Sequence, residues 1–600
     1  MNTNWRQQIS QPQYGIKVEK DIMVQMRDGI HLAIDIFRPD APGKFPALLA
    51  MSGYGKDEVE LLLPPQPLNK SAVWDGNIEA GDYNDIVPRG YVHIIGDVRG
   101  TAHSEGEYPG PDGKDCYDLI EWAANQPWCS GNIGMTGYSA FSAIQLRTAF
   151  EQPPHLKCLA VSHISSDTYR EGAYNGGVLS LMSYGVWYGR HGTSGVAPNN
   201  ARSAMQKTLS KEEFERRRQE LLNHPDIKYY PNVYHLLLYP QKNPRFFDML
   251  MNPYDSPWYQ ERSAYPYFDK IKVPVHVVGK AAHETMGYWD VYEGVKTPKK
   301  LLVKPNGPEE RPWREDLETL IRWYDHWLKG NDTGMMDEPP IKLFVMGENK
   351  WRYLEEWPLP QVEYTKCYLR RWEGLSFEPE LHQDEPDGFF QQPLHLSNKR
   401  DSVIYLSPPL DEDLQVIGPA ALNFFASIDQ DDTNWIIKVF DVAPNGVETR
   451  VAKSYLKASH RALDPEKSKP YAPFHPHTKE SIEVLKPGEI YEYSVALNVI
   501  QNVFKADHKI KLSIESLESP RDPELAIHYH PHLNTATATL HKIYRDKVHR
   551  SHLLLPVILG KRELPETREL PETMRDDNCL LLSEYSVYGK PFKGEVGVDL

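Results

Sequence analysis

The chain has 600 residues, 40% hydrophobic and 25% charged, an ordinary globular composition but too long for one core, so two or three domains are expected. Its 83 acidic residues against 67 basic ones give a formal net charge of -16, and no Lys/Arg-dense stripe is present to neutralise phosphates, which argues against a nucleic-acid partner. No run approaches the roughly 18 apolar residues of a membrane span, the N-terminus lacks a basic segment followed by an apolar one, and the five cysteines lie far apart without a CxxC pair. A cytoplasmic protein with no membrane partner, disulfide framework or zinc site is expected.

In chain order, residues 16–39 alternate apolar and polar side chains around Arg27-Asp28-Gly29, the pattern of a β-hairpin. FPALLAMS (45–52) and YVHIIG (91–96) are short apolar runs ended by turn residues, as central strands buried on both faces would be. DLIEWAANQPWC (118–129) has helical spacing and stops near Pro127. Strand and helix alternate, which favours a parallel sheet. NIGMTG (132–137) then leads into Tyr138-Ser139-Ala140 and a helix over 140–150, and LKCLAVS (156–162) follows as another strand.

From 167 to 265 the sequence is rich in Met, Tyr and Trp and carries the charged helical stretch KEEFERRRQELL, so an inserted helical cap is predicted. Sheet pattern returns at VPVHVVG (273–279) and 300–303, followed by a helix over 316–329 that ends at Gly330. From 343 to 600, short β-type runs alternate with turn residues, the signature of an all-β sandwich of jelly-roll type. The expected division is therefore a core over 1–166 and 266–342, a cap over 167–265 and a β-domain over 343–600. The tandem hexapeptide RELPET at 562–573 reads as an exposed charged loop. The closely spaced histidines of IHYHPH (527–532) have no nearby Cys and read as an exposed β-segment rather than a metal site.

A strand, a sharp turn and a helix with Ser139 at the apex form the context of a nucleophile elbow. A serine hydroxyl needs a base to take its proton and donors to hold the oxyanion that develops. The amide of Ala140 is placed by such a turn to be one donor, and Gly137 permits its crowding; Phe141 stands where G-x-S-x-G has its second glycine.

DVRGTAHSEG (97–106), Asp118 and EWAANQPWCSGNIGMTGYS resemble the same stretch of the cocaine-esterase-like hydrolases, which include α-amino-acid ester hydrolases and X-prolyl dipeptidyl aminopeptidases. The resemblance continues through SSDTYREGAYNGG, RWYDHWLKGNDTG, EPPIKLFVMGENKWR, SPPLDEDLQVIGP and KASHRALD, and so covers nearly the whole chain. It implies an α/β-hydrolase core with an inserted helical cap and a C-terminal jelly roll. It maps the nucleophile to Ser139, one oxyanion donor to the Ala140 amide, and a second, a tyrosine hydroxyl, to Tyr54 in SGYGK.

The same resemblance exposes a departure. The family's triad Asp falls on His283 in VGKAAHETM, and its His falls on Arg311 in VKPNGPEERPW, just after Glu309 and Glu310. Three arrangements stay open. His283 could be the base with Glu309 or Glu310 orienting it, since a triad is defined by geometry and role rather than chain order; Asp290 is a further candidate orienting acid. His163, with Asp167, could be the base instead. Or the triad has decayed, leaving a binding protein or an enzyme of different chemistry. The leading expectation is a serine hydrolase or acyltransferase acting on a small-molecule ester or amide without a cofactor, the β-domain walling the cleft and supporting a homodimer.

Overall fold

The computed structural model describes residues 5–57, 77–108, 112–181, 203–281, 287–305, 312–518 and 532–558. The hexapeptide repeat at 562–573 and Cys579 lie outside the described residues; the other four cysteines are free and buried.

Strands β1 (Ile16–Gln25) and β2 (His31–Pro39) form the expected antiparallel hairpin. Its turn requires a left-handed residue, and Gly29 supplies φ +90. β2 pairs with β4 (Val92–Asp97), and from there neighbours are parallel in the order β4, β3 (Phe45–Ser52), β5 (Cys129–Met135), β6 (Leu156–Ser162), β9 (Val275–Lys280), β10 (Lys299–Lys304) and β11 (Ile341–Val345). Antiparallel β12 (Lys350–Leu354) ends the sheet, while β7 (Tyr174–Asn175) and β8 (Val178–Leu179) form a separate ladder in the cap.

The central strands are apolar on both sides because helices cover both faces. In β3, Ala47, Leu49 and Met51 join the cluster that includes Cys116, Leu119 and Ile120 of the helix Gly113–Ala124. Leu48 points the other way and shares a cluster with Trp323 and Tyr324 of the helix Pro312–Tyr324. That helix continues through Asp325–Lys329 to a left-handed cap at Gly330. The boundary expected at residue 343 is corrected: it falls inside β11, because IKLFV extends the hydrolase sheet by one more parallel strand beside β10. The first strand of the second sheet is β13 (Val362–Arg370).

The insertion between β6 and β9 is mainly helical, with its own apolar cluster around Tyr169, Phe246, Phe247 and Tyr259. Its charged run is the helix Lys211–Asn223, begun by Ser210, whose side chain accepts the Glu213 amide. Among the described residues, the β-domain is an eleven-stranded, mostly antiparallel sheet around Trp435, Phe424 and Tyr493. Its Ile417, Val499, Val503 and Ile558 belong to the same apolar cluster as the hydrolase core. Backbone bonds from Met346 N to Gln501 O (2.9 Å) and from Val503 N to Met346 O (2.8 Å) seam the two together.

The β-domain also clasps the cap. Lys457 N donates to Gly176 O and Leu533 N to Leu179 O, both at 2.8 Å. Buried Glu518 accepts from Lys453 Nζ (2.6 Å), the Tyr455 hydroxyl (2.8 Å) and His532 Nδ1 (2.8 Å), and the other His532 ring nitrogen meets Asn175 Oδ1 of the cap at 2.8 Å. The expectation of an exposed IHYHPH segment is therefore corrected at His532, which is buried in this network; residues 527–531 lie outside the described ones. Among the described residues, no helix is long and apolar enough to cross a membrane.

Candidate active site

All parallel strands deliver their C-terminal ends to one edge of the sheet, where ligands of α/β sheets bind. β5 runs out at Met135 and the chain turns through Gly137 to Ser139, which has φ 56 and ψ -111, before the helix Ala140–Glu151 starts. A non-glycine residue in that conformation stores about 1–3 kcal/mol and persists only where its surroundings hold it. They do so here. Tyr138 N donates to Glu79 O (2.8 Å) and Ser139 N to Ser162 O at the end of β6 (3.0 Å). The helix is stapled to the same strand: Ser142 Oγ donates to Gly137 O (2.7 Å) and accepts Ser162 N (2.8 Å), while Gln145 donates to Gly137 O (3.1 Å) and accepts Ala160 N (3.1 Å).

The turn is as tight as the motif requires. A Cβ on Gly137, which has φ +114, would lie 2.5 Å from the Phe141 Cβ and 2.9 Å from Glu79 O. Ser139 makes no capping bond to its helix and no side chain among the described residues bonds its hydroxyl. The Ala140 amide, beside it, donates to no acceptor among the described residues. Ser139 and Ala140 are half-buried.

Phe141, in place of the second motif glycine, is 1% exposed and packs edge-on to the Tyr54 ring, with centroids 6.0 Å apart. The missing glycine thus became a floor under Tyr54. Tyr54 follows β3, the neighbour of β5, and its amide donates to Ser52 Oγ (3.2 Å). Sequence reasoning missed what fixes this turn: Lys56 N donates to Asp97 Oδ1 (2.6 Å), His103 N donates to Asp97 Oδ2 (3.1 Å), and the Lys56 ammonium is buried among carboxylates. Burial pushes the Asp97 carboxyl up to about 6, against the pull of the His103 and Lys56 amides. The available signal was a lysine two residues after the tyrosine at a strand end, followed by an acidic residue. Arg99, two residues after Asp97, pairs with Asp115 (2.6 Å) and Asp28 (2.5 Å) instead.

His163, directly after β6, has φ 48; its ring lies against Tyr138 with centroids 4.2 Å apart, and its Nδ1 is 3.4 Å from Ser162 Oγ. Asp167 is not its partner. That carboxylate caps the turn after it, accepting the Tyr169 (2.9 Å) and Arg170 (3.0 Å) amides and the Arg170 guanidinium (2.8 Å). Asp290 is likewise engaged, accepting the Ser166 hydroxyl at 2.6 Å. His283, Glu309, Glu310 and Arg311 lie outside the described residues, in the connections that leave β9 and β10. Among the described residues, no group of three or more His, Cys, Asp or Glu is arranged to hold a metal ion.

Residues 28–307 match the X-Pro dipeptidyl-peptidase (S15 family) and residues 333–554 match the X-Pro dipeptidyl-peptidase C-terminal non-catalytic domain. The chain is 25% identical to the cocaine esterase of Rhodococcus sp. (strain MB1 Bresler) over 90% of its length and 98% of that protein's. Among solved structures it is similar to a CocE/NonD family hydrolase of Staphylococcus aureus, with TM-score 0.69 and 23% identity over 90% of this chain and 94% of that one. It is also similar to an α-amino acid ester hydrolase, with TM-score 0.69 and 18% identity over 90% and 96% of the two chains. The two structural likenesses establish the fold.

Proposed function

This chain belongs to the X-Pro dipeptidyl-peptidase (S15) family of serine hydrolases, which cleave esters or amides, and on that premise we propose that Ser139 is its nucleophile. Its hydroxyl attacks the acyl carbon of a small-molecule ester or amide; the leaving alcohol or amine departs with the proton taken from Ser139, and water then releases the acyl group. The observation that carries the reading is the held, left-handed backbone of Ser139 with the open Ala140 amide beside it. A turn that serves only to start a helix has no need of that strain.

The Ala140 amide and the Tyr54 hydroxyl hold the oxyanion, and the Phe141 floor beneath the tyrosine supports this assignment. The proton goes to His283, oriented by Glu309 or Glu310. In this exchanged triad the imidazole follows β9 and the carboxylate follows β10, strands that enter the same sheet edge as β5 and β6. A second reading gives the base role to His163, on the strength of its ring contact with Tyr138 beside the nucleophile.

A fluorophosphonate probe and p-nitrophenyl acetate test the proposal together. Stoichiometric labelling and turnover that both vanish in Ser139→Ala are expected, with kcat falling by about 10³-fold or more in His283→Ala. Loss of turnover in His163→Ala with His283→Ala unimpaired would move the base to His163. An unlabelled wild-type protein that leaves the ester intact would remove Ser139 from the chemistry.

A further inference from the structure

Lys56 is a cation sealed inside the protein two residues from Tyr54: its side chain is 0% exposed. Its ammonium lies 2.6 Å from Asp21 Oδ1, 2.9 Å from Asp57 Oδ1 and 3.1 Å from Asp35 Oδ1. These carboxylates come from different places. Asp35 projects from β2, Asp57 from the Tyr54 turn itself, and Asp21 from an irregularity in β1, where the register slips between Glu19 and Ile22 and Asp21 takes φ 55. Asp21 N donates to Asp35 Oδ1 (2.9 Å), so the bulge brings a second carboxylate beside the first.

The backbone of Lys56 is fixed independently, through its amide to Asp97. Between Tyr54 and Lys56 stands Gly55 at φ +101, a backbone conformation that glycine adopts freely. Asp57 is tied in turn to His103 Nε2 at 2.7 Å. A turn of five residues is thus anchored at its lysine by side-chain and main-chain bonds to β1, β2 and β4, and Phe141 supports the tyrosine from the nucleophile helix. An oxyanion donor is effective only when already aimed before charge develops, and a flexible loop would lose that advantage.

We propose that Lys56 is a positioning residue for catalysis: by locking the turn after β3 onto the N-terminal hairpin, it holds the Tyr54 hydroxyl where the oxyanion forms. The inference rests on the donor role given to Tyr54 above. Burial opposes the ammonium charge, and the bonds to Asp21, Asp57 and Asp35 outweigh it, raising the lysine pKa, so the clamp stays charged across the working pH range.

The test is a double-mutant cycle read on p-nitrophenyl acetate hydrolysis and on the rate of fluorophosphonate labelling. Tyr54→Phe is expected to lower kcat by about 10²-fold. Lys56→Met should lower kcat by about 10- to 100-fold with KM within about twofold, and Lys56→Arg should recover part of the loss. In a Tyr54→Phe background, Lys56→Met should cost less than about twofold more, because the group it aims is already gone. Asp57→Asn, at a half-exposed site, gives the same comparison if Lys56→Met does not fold. Losses that multiply in the double variant, or a rise in KM with kcat unchanged, overturn the positioning role alone. An unchanged kcat in Tyr54→Phe overturns the donor role of Tyr54 and this inference with it.

Discussion

At the scale of single residues, the elbow keeps Ser139 in a conformation that only glycine adopts freely. Comparing two variants that both lack the hydroxyl isolates that strain. Ser139→Gly should be more stable than Ser139→Ala by about 1 kcal/mol, because relief of the left-handed backbone exceeds the extra chain entropy of glycine; denaturant unfolding of the two proteins measures it. Much at this scale was legible in the sequence. G-x-S after a strand and before a helix located the turn, and the family resemblance carried by SGYGK pointed to Tyr54, which follows β3. Only the Lys56-Asp57 half of the clamp left a signal in the sequence; its partners Asp21 and Asp35 come from a hairpin whose bulge leaves no mark in an alternating pattern. The Phe141 substitution looked like a weakened motif, since its packing on Tyr54 depends on a contact between segments far apart in the chain.

At the scale of elements, the positions of the strands along the chain followed from apolar runs and turn residues, and the boundary at 343 missed because β11 and β12 are short β-type runs like those of the β-domain, while β11 pairs with β10 and β12 with β11. Pairing partners are a tertiary property, and two sheets built from similar short strands look alike along the chain. An inserted helical cap was expected; its fastening to the β-domain was not. Lys453 and Glu518 are 1% and 0% exposed, so removing one partner leaves the other as an uncompensated buried charge. Glu518→Ala should cost about 3–5 kcal/mol and free the β7–β8 ladder from His532, so limited proteolysis should cut the cap region 203–265 sooner than in the wild type, with the β-domain cut later. Equal protection of the cap in both proteins would show that the helices hold it without the clasp.

At the scale of the whole molecule, buried histidines set the acid limit. Burial pushes His93, His276, His460 and His541 down to about 3, and His477 well below its ordinary value. All five are at most 5% exposed. Their folded pKa values lie below the unfolded value of about 6.5, so the unfolded chain takes up protons that the fold refuses. The stability they contribute is whole above about pH 6.5 and is lost as pH falls toward about 3, at up to about 1.4 kcal/mol per group per pH unit. Thermal unfolding followed from pH 7.5 to 5 should show a fall steeper than one proton can produce; a flat profile would mean that these imidazoles charge inside the fold.

The clasp between cap and β-domain also has a consequence in time. The cap is finished by about residue 265, yet Glu518 and His532, which fasten it, are synthesised about 250 residues later, a delay of about 13–50 s at about 5–20 residues per second. Throughout that interval a nascent chain carries the Tyr54 and Ser139 turns and the whole insertion, with the insertion not yet tied to the β-domain. The hydrolase half therefore emerges from the ribosome before the residues that fasten its insertion, and the last third of the message supplies the clasp.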